Sequence, residues 1–183
     1  MPSATKTIKK LEIGNDAKRP SDAGWDTVNL DPTVYPTYKA PANKIPCSDG
    51  QYDLVYASHI LEHIPYSPKY VSVHKTLAEW ARVLKTGGTL MVGVPNCEVL
   101  CELYLGSSGQ ERFDVMRMIY GGQTSQWDFH QVGFDQDLLV AFLVDAGFGG
   151  IERVDDFGLF AGDCTTLEYN GTRISLNLKA TKL

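Results

Sequence analysis

The sequence predicts an α/β protein built on a largely parallel sheet, and three observations carry that prediction. Compact apolar runs such as Tyr52 to Ala57 (YDLVYA) and Thr89 to Pro95 (TLMVGVP) read as strands buried on both faces. Two stretches carry apolar residues at helical spacing, Val73, Leu77, Trp80 and Leu84 in one and Leu139, Phe142, Leu143 and Ala146 in the other. Strands and helices alternate along the chain, the order in which helices come to cover a parallel sheet.

Taken in order, Leu11 and Ile13 alternate ahead of Gly14, which marks a short strand and a tight turn. A segment rich in Pro, Ser, Asp and Gly follows. Trp25 to Asp31 reads as a second strand closed by Asp31-Pro32. Residues 32–51 hold four prolines and little periodicity, so a loop is expected, with one short strand near Lys44 to Pro46. After the Tyr52 to Ala57 strand, Ser67-Pro68 supplies a helix cap and a first-turn proline, and Gly87-Gly88 ends that helix. Leu100, Leu103 and Tyr104 suggest one helix in the poorly patterned stretch 96–128, and Gly106 to Gly109 a loop. Asp135 caps the next helix and Gly147 ends it. Ile151 to Val154 and Arg173 to Ala180 are the closing strands.

The bulk numbers exclude several classes. A chain of 183 residues with 43% hydrophobic and 21% charged residues fits one globular domain. A net charge of -5 with scattered cations gives no basic stripe for a nucleic acid. No apolar run approaches the roughly 20 residues of a membrane span, and the first residues lack a signal peptide's apolar segment, so a cytoplasmic protein is expected. Cys47, Cys97, Cys101 and Cys164 are unevenly placed and are expected as free thiols.

Ligands of such sheets bind outside the carboxyl ends of the strands, where Gly14 to Asp16, Asp31, Ala57 to His63 and the residues from Pro95 onward fall. His59-Ile-Leu-Glu-His63 matches H-x-x-E-H, in which two histidines one helical turn apart bind zinc and the glutamate acts as base. That chemistry needs a stable helix, and Pro65 leaves about one turn. It also needs a third ligand, and no later helix carries a partner motif, so no metal is expected. A plainer alternative has Glu62 and His63 capping a turn over Ile60, Leu61 and Ile64.

The motifs, taken together, resemble the class I S-adenosylmethionine-dependent methyltransferases of the type 11 group. The resemblance lies in Asp53 to Ile64 (DLVYASHILEHI), Glu79 to Pro95 (EWARVLKTGGTLMVGVP), His130 to Phe148 (HQVGFDQDLLVAFLVDAGF) and the closing Ser175 to Lys182. It spans essentially the whole chain. It implies a Rossmann-like fold with a mostly parallel seven-stranded sheet whose last strand is antiparallel, and S-adenosylmethionine as cofactor, with S-adenosylhomocysteine as product.

By that resemblance, Gly14 with Asn15 and Asp16 approaches the methionine part of the cofactor. Asp31, flanked by Leu30 and Pro32, binds the ribose hydroxyls, as suits a bidentate acceptor at a strand end. Ala57, Ser58 and His59 line the methyl-donor region. His59, His63 and His130 are the candidate bases and Glu62 orients one of them. A single domain over 1–183 is expected, with an insertion at 98–129 covering the side of an unidentified small-molecule acceptor.

Two departures stand out. Only Gly14 of the glycine loop is kept, and 14–31 leaves little room for the first helix, which is expected to be short or missing. The adenine-binding acid after strand three is also absent, with Asn43 as a substitute. These losses leave open a methyltransferase-like binding or scaffold module without catalysis. Zinc hydrolysis and a dinucleotide enzyme are further alternatives, the latter lacking G-x-G-x-x-G.

Overall fold

The computed structural model describes residues 7–15, 24–67 and 72–183. Its elements are β1 (Lys10–Ile13), β2 (Trp25–Asn29), β3 (Tyr38–Lys39), β4 (Tyr52–Ser58), α1 (Val73–Val83), β5 (Leu84–Pro95), α2 (Cys97–Gly106) and α3 (Gly109–Tyr120). They continue with α4 (Gln136–Asp145), β6 (Phe148–Val154), the hairpin strands β7 (Glu168–Tyr169) and β8 (Thr172–Arg173), and β9 (Ser175–Lys182).

Seven strands form one sheet in the order β3-β2-β1-β4-β5-β9-β6. β1, β2, β3, β4 and β5 pair in parallel, and β9 runs antiparallel to both β5 and β6. The chain therefore builds outward in one direction from β1 and in the other from β4. The crevice between their carboxyl ends is the switch point where such sheets bind ligands.

The two faces of the sheet are covered differently. Alternate residues of the strands, among them Leu11, Val55 and Val92, join the main core with α1 and α4. The α1 stripe of Val73, Leu77 and Trp80 is fully buried, and Trp80 Nε1 donates to Ala42 O at 2.9 Å. The residues between them, Leu54, Tyr56 and Met91, face the other way and pack with Trp25, Phe157 and Phe160. Tyr56 meets both phenylalanines, at ring distances of 5.8 and 5.4 Å. Residues of the segment between β6 and β9 thus cover this face. A third small cluster of Leu100, Val115 and Ile174 joins α2 and α3 to the segment leading into β9.

Several expected boundaries move. The short strand is Tyr38–Lys39, not Lys44 to Pro46; two residues are too few to show a period, and its partner is Val28–Asn29. Helix α1 starts at Val73, where Ser72 Oγ accepts from Lys75 N. Pro68 lies outside the described residues, as does Asp16. Gly87-Gly88 does not end the helix: β5 begins directly at Leu84, which pairs with Tyr52. The stretch after Asn96 holds two helices rather than one. Most of the residues where the first helix was expected, 16–23, lie outside the described residues. Asp135 caps α4 as expected, its Oδ1 accepting from Leu138 N at 2.8 Å.

Arg82 fastens the 45–49 loop to α1. Its guanidinium donates to Glu79, to Asp49, and to the carbonyls of Cys47 and Ile45. Glu79 in turn accepts from Ile45 N at 2.6 Å. The Arg82 hydrogen bond holds the Glu79 carboxyl below its usual range of about 4.5. Arg82→Met is expected to cost about 1.5 kcal/mol, a fall in Tm of roughly 3–6 °C. A lowered folded pKa gives stability that is present above the unfolded value and lost as pH falls through the folded one. The gap between wild type and variant should therefore narrow as thermal melts are taken below pH 4.5.

Candidate active site

The turn after β1 depends on Gly14, which has φ +79° and donates its N–H to Val28 O at 2.8 Å. A Cβ there would lie 1.9 Å from Ile60 Cδ1, so glycine is the residue that lets the β1 turn and the loop after β4 touch. Asn15 is 4% exposed and turned toward the β2 side: its Nδ2 reaches Val34 O and its carbonyl accepts from Asn29 Nδ2 at 2.9 Å. It does not line the cavity described next. Asp16 lies outside the described residues.

A cavity of about 410 Å³ opens at the carboxyl ends of β1 and β2. Gly14, Leu30 and Asp31 form one wall, the 40–43 loop another, and Ile60 and His63 a third. Asp31 caps the turn that follows it, Oδ1 accepting from Thr33 N at 2.8 Å and from Thr33 Oγ1 at 2.7 Å. The Thr33 hydroxyl holds this carboxyl below its usual range, so it is anionic at neutral pH. Neither bond engages Oδ2. Asn43 lines the cavity too, and its buried Oδ1 has no hydrogen-bond partner.

Ala57 and Ser58, expected beside a cofactor, stand elsewhere. Ala57 belongs to the main core, and Ser58 Oγ donates to Asp163 Oδ1 at 2.9 Å. Pro32 heads the one-turn helix after Asp31 and does not reach the wall. Of the further residues that line it from the post-β4 loop, Ile60 falls within the expected ligand edge, whereas Ile64 and Pro65 were read from sequence only as a packing residue and a helix breaker.

The histidine motif forms no α-helix. Leu61–His63 is a single 3-10 turn, and His59 takes the left-handed conformation at φ 52°. That strained backbone turns its ring inward, where Nε2 lies 3.0 Å from Ser175 Oγ. Ser175 donates its own hydrogen to Cys164 O at 2.6 Å, so His59 Nε2 carries the proton and Nδ1 the lone pair. His63 Nδ1 faces Phe129 O at 3.0 Å and His130 Nδ1 faces Ile119 O at 3.2 Å. Carbonyls only accept, so both rings are protonated on Nδ1 and keep Nε2 open. The His63 and His130 rings meet edge-on at 4.9 Å.

Glu62 lies at the centre of this group. It is 1% exposed and neither carboxylate oxygen has a hydrogen-bond partner. Oε1 is 3.4 Å from His59 Nδ1 and 3.9 Å from His63 Nε2. Burial pushes the acid up to about 8 and pushes His59 down to about 3, the latter helped by His130 and His63. Near neutral pH the close pair is therefore a neutral acid facing a neutral imidazole, not an ion pair.

Two further cavities meet here. One of about 440 Å³ is lined by His59, His130, Asp114 and Arg117, and a smaller one of about 170 Å³ by Glu62, His130 and Tyr120. Helix α3 supplies Asp114, Arg117 and Tyr120. Trp127 lines the 410 Å³ cavity instead. Arg112 is spent locally: it donates to Ser107 O at 2.7 Å and lies 5.0 Å over the Tyr104 ring.

Residues 14–92 match the family model of a methyltransferase domain. The solved structures similar to the chain include an S-adenosylmethionine-dependent methyltransferase from Mesorhizobium loti, at TM-score 0.62 and 14% identity over 96% of this chain and 91% of that one. Another, from Methanosarcina mazei, has TM-score 0.60 and 16% identity over 98% and 94%. The fold is that of the class I methyltransferases. The CurJ carbon methyltransferase also superposes, with TM-score 0.60 and 12% identity over 95% of this chain, which spans 48% of that protein's length. A sequence search of curated proteins returns no match. The antiparallel strand β9 is the closing strand that the resemblance implied. Among the described residues, no helix is long and apolar enough to cross a membrane.

Proposed function

We propose that the protein transfers a methyl group from S-adenosylmethionine to a small molecule in the cytoplasm, as a single domain whose 98–129 segment closes the acceptor side. The observation that carries this reading is the meeting of two cavities at His63 and His130, one at the switch point of the sheet and one beneath α3. The first is of the size that small-molecule sites take, roughly 300–1,000 Å³. Its Gly14 cradle and the unpartnered Asn43 Oδ1 suit the cofactor's backbone-hugging methionine part and its adenine amine. Asp31 would hold the ribose diol. The acceptor chamber beneath α3 and a net charge of -5 favour a small acceptor over a nucleic acid.

S-adenosylmethionine supplies an electrophilic methyl group when bound. The protein's part is to align the acceptor and, where the acceptor atom carries a proton, to remove it. His130 faces the acceptor chamber with Nε2 open and Nδ1–H anchored, so it is the best-placed base. His59 has Nε2 spent on Ser175 and Nδ1 turned to Glu62 Oε1 at 3.4 Å, so it serves as a positioning residue.

Asp31→Ala should weaken S-adenosylmethionine binding by about 10- to 100-fold, the worth of a hydrogen bond to a charged group, and should lower Tm by only about 2–4 °C through the lost Thr33 cap. Calorimetric titration of cofactor-free protein with S-adenosylmethionine and S-adenosylhomocysteine is the direct check. Saturable one-to-one binding supports the reading, and the absence of heat at millimolar ligand would leave a binding module without catalysis.

A further inference from the structure

The sequence offered two histidines and a glutamate but no third histidine near them. The fold brings one. His130 reaches the motif because Gln131 N donates to Glu62 O at 2.7 Å and Gln131 Nε2 donates to His63 O at 2.9 Å, which fastens the 130–132 strand of chain along the post-β4 turn. One ligand atom each from Glu62, His63 and His130 then lies within 4.8 Å of the others.

We propose that Glu62, His63 and His130 bind a divalent first-row transition metal ion in a three-ligand site facing the acceptor cavities. Three independent features point there. Both imidazoles offer Nε2 while Nδ1–H is held by a backbone carbonyl, the outer arrangement that orients metal-bound histidines. The carboxylate is 1% exposed with both oxygens unpartnered, and a buried carboxylate needs a proton or a cation beside it. Two imidazoles and one carboxylate form the donor set of open catalytic sites, in which a further position is left for water or substrate. The ligand atoms would have to draw in to the roughly 3.4 Å separations of tetrahedral zinc, a movement that side-chain torsions can supply.

Metal binding itself does not depend on methyl transfer. Its use does rest on the function proposed above: an ion between the cavities would polarise an acceptor heteroatom and lower its pKa. The acceptors favoured are then hydroxyl or thiol compounds able to ligate a metal. With a metal bound, His130 would serve as a ligand, the ion would lower the acceptor's pKa, and the proton would leave to solvent water through the open cavities.

The test uses tag-free full-length protein stripped with a chelator, titrated with Zn²⁺ by calorimetry and with Co²⁺ by visible absorption, without cofactor. One equivalent of Zn²⁺ should bind, and the Co²⁺ spectrum should lack thiolate charge-transfer bands. His63→Ala and His130→Ala should each weaken binding at least tenfold. His74→Ala, which alters the histidine packed on Phe142, should leave it unchanged. No binding by the wild type overturns the proposal. So does thiolate character in the wild-type Co²⁺ spectrum, a readout that stands even if the histidine variants fail to fold. Binding that survives both histidine variants but is lost in Cys97→Ala or Cys101→Ala would move the ion to α2 and overturn it as well. Because no cofactor is present, failure of the methyltransferase reading would leave these outcomes untouched.

Discussion

Gly14→Ala should abolish measurable S-adenosylmethionine binding and destabilise the protein by about 3 kcal/mol. Two costs add. A residue with a Cβ at φ +79° is strained by roughly 1–2 kcal/mol, and the overlap with Ile60 adds the roughly 1–3 kcal/mol of an overpacked contact. The same displacement would push Ile60 into, or the β1 turn away from, the wall that both residues share. Ile60→Ala should relieve the overlap but not the backbone strain. In the Ile60→Ala background, which carries its own cost of lost packing, Gly14→Ala is therefore expected to cost about half of what it costs in the wild type, a coupling that a double-mutant cycle by chemical denaturation reads directly. Additive losses would mean that the two residues do not touch.

Glu62→Met should have the opposite effect on stability and a worse one on function. Removing a buried carboxyl whose two oxygens find no partner should stabilise the protein in chelator by about 2 kcal/mol, while turnover falls at least 100-fold. Methionine is chosen because its flexible thioether fills the same space without a polar atom. A stability gain with lost activity is the signature of a group kept for chemistry rather than folding. If Glu62→Met is less stable than wild type, the carboxyl has a structural partner after all. The measurement is denaturant unfolding of both proteins at one pH near neutrality, alongside a methyl-transfer assay.

Local rules made some of this molecule legible. Gly14 after an alternating strand, Asp135 before an apolar stripe, and the Val73, Leu77, Trp80 face all state their structure within a dozen residues. The family resemblance added the antiparallel closing strand. What stayed hidden depends on distant partners. Asn43 was read as a substitute for the missing acid, yet nothing in the sequence of the 40–43 loop indicates that it walls a cavity with Gly14. Helix α3 was missed because its moderate amphipathic pattern buries only Val115 deeply. Ala57 and Ser58 were expected in the site because their loop borders it, but strand alternation sends one side chain into the core and the other to Asp163. His130 is 67 residues from His63, and no spacing rule joins them.

The aromatic patch over β1, β2 and β4 bears on how the chain assembles. Trp25 and Tyr56 are covered by Phe157 and Phe160, more than 100 residues downstream of Tyr56 at the nearest counterpart, and β9 must enter between β5 and β6 to complete the sheet. A nascent chain that has emerged only as far as Pro95, the end of β5, would therefore expose an uncovered aromatic face and an open edge on β5. Neither defect heals until β9 emerges. Such long-range closure favours slow folding through incomplete intermediates, so refolding should be concentration-sensitive, and chaperones that shield apolar surface should raise its yield.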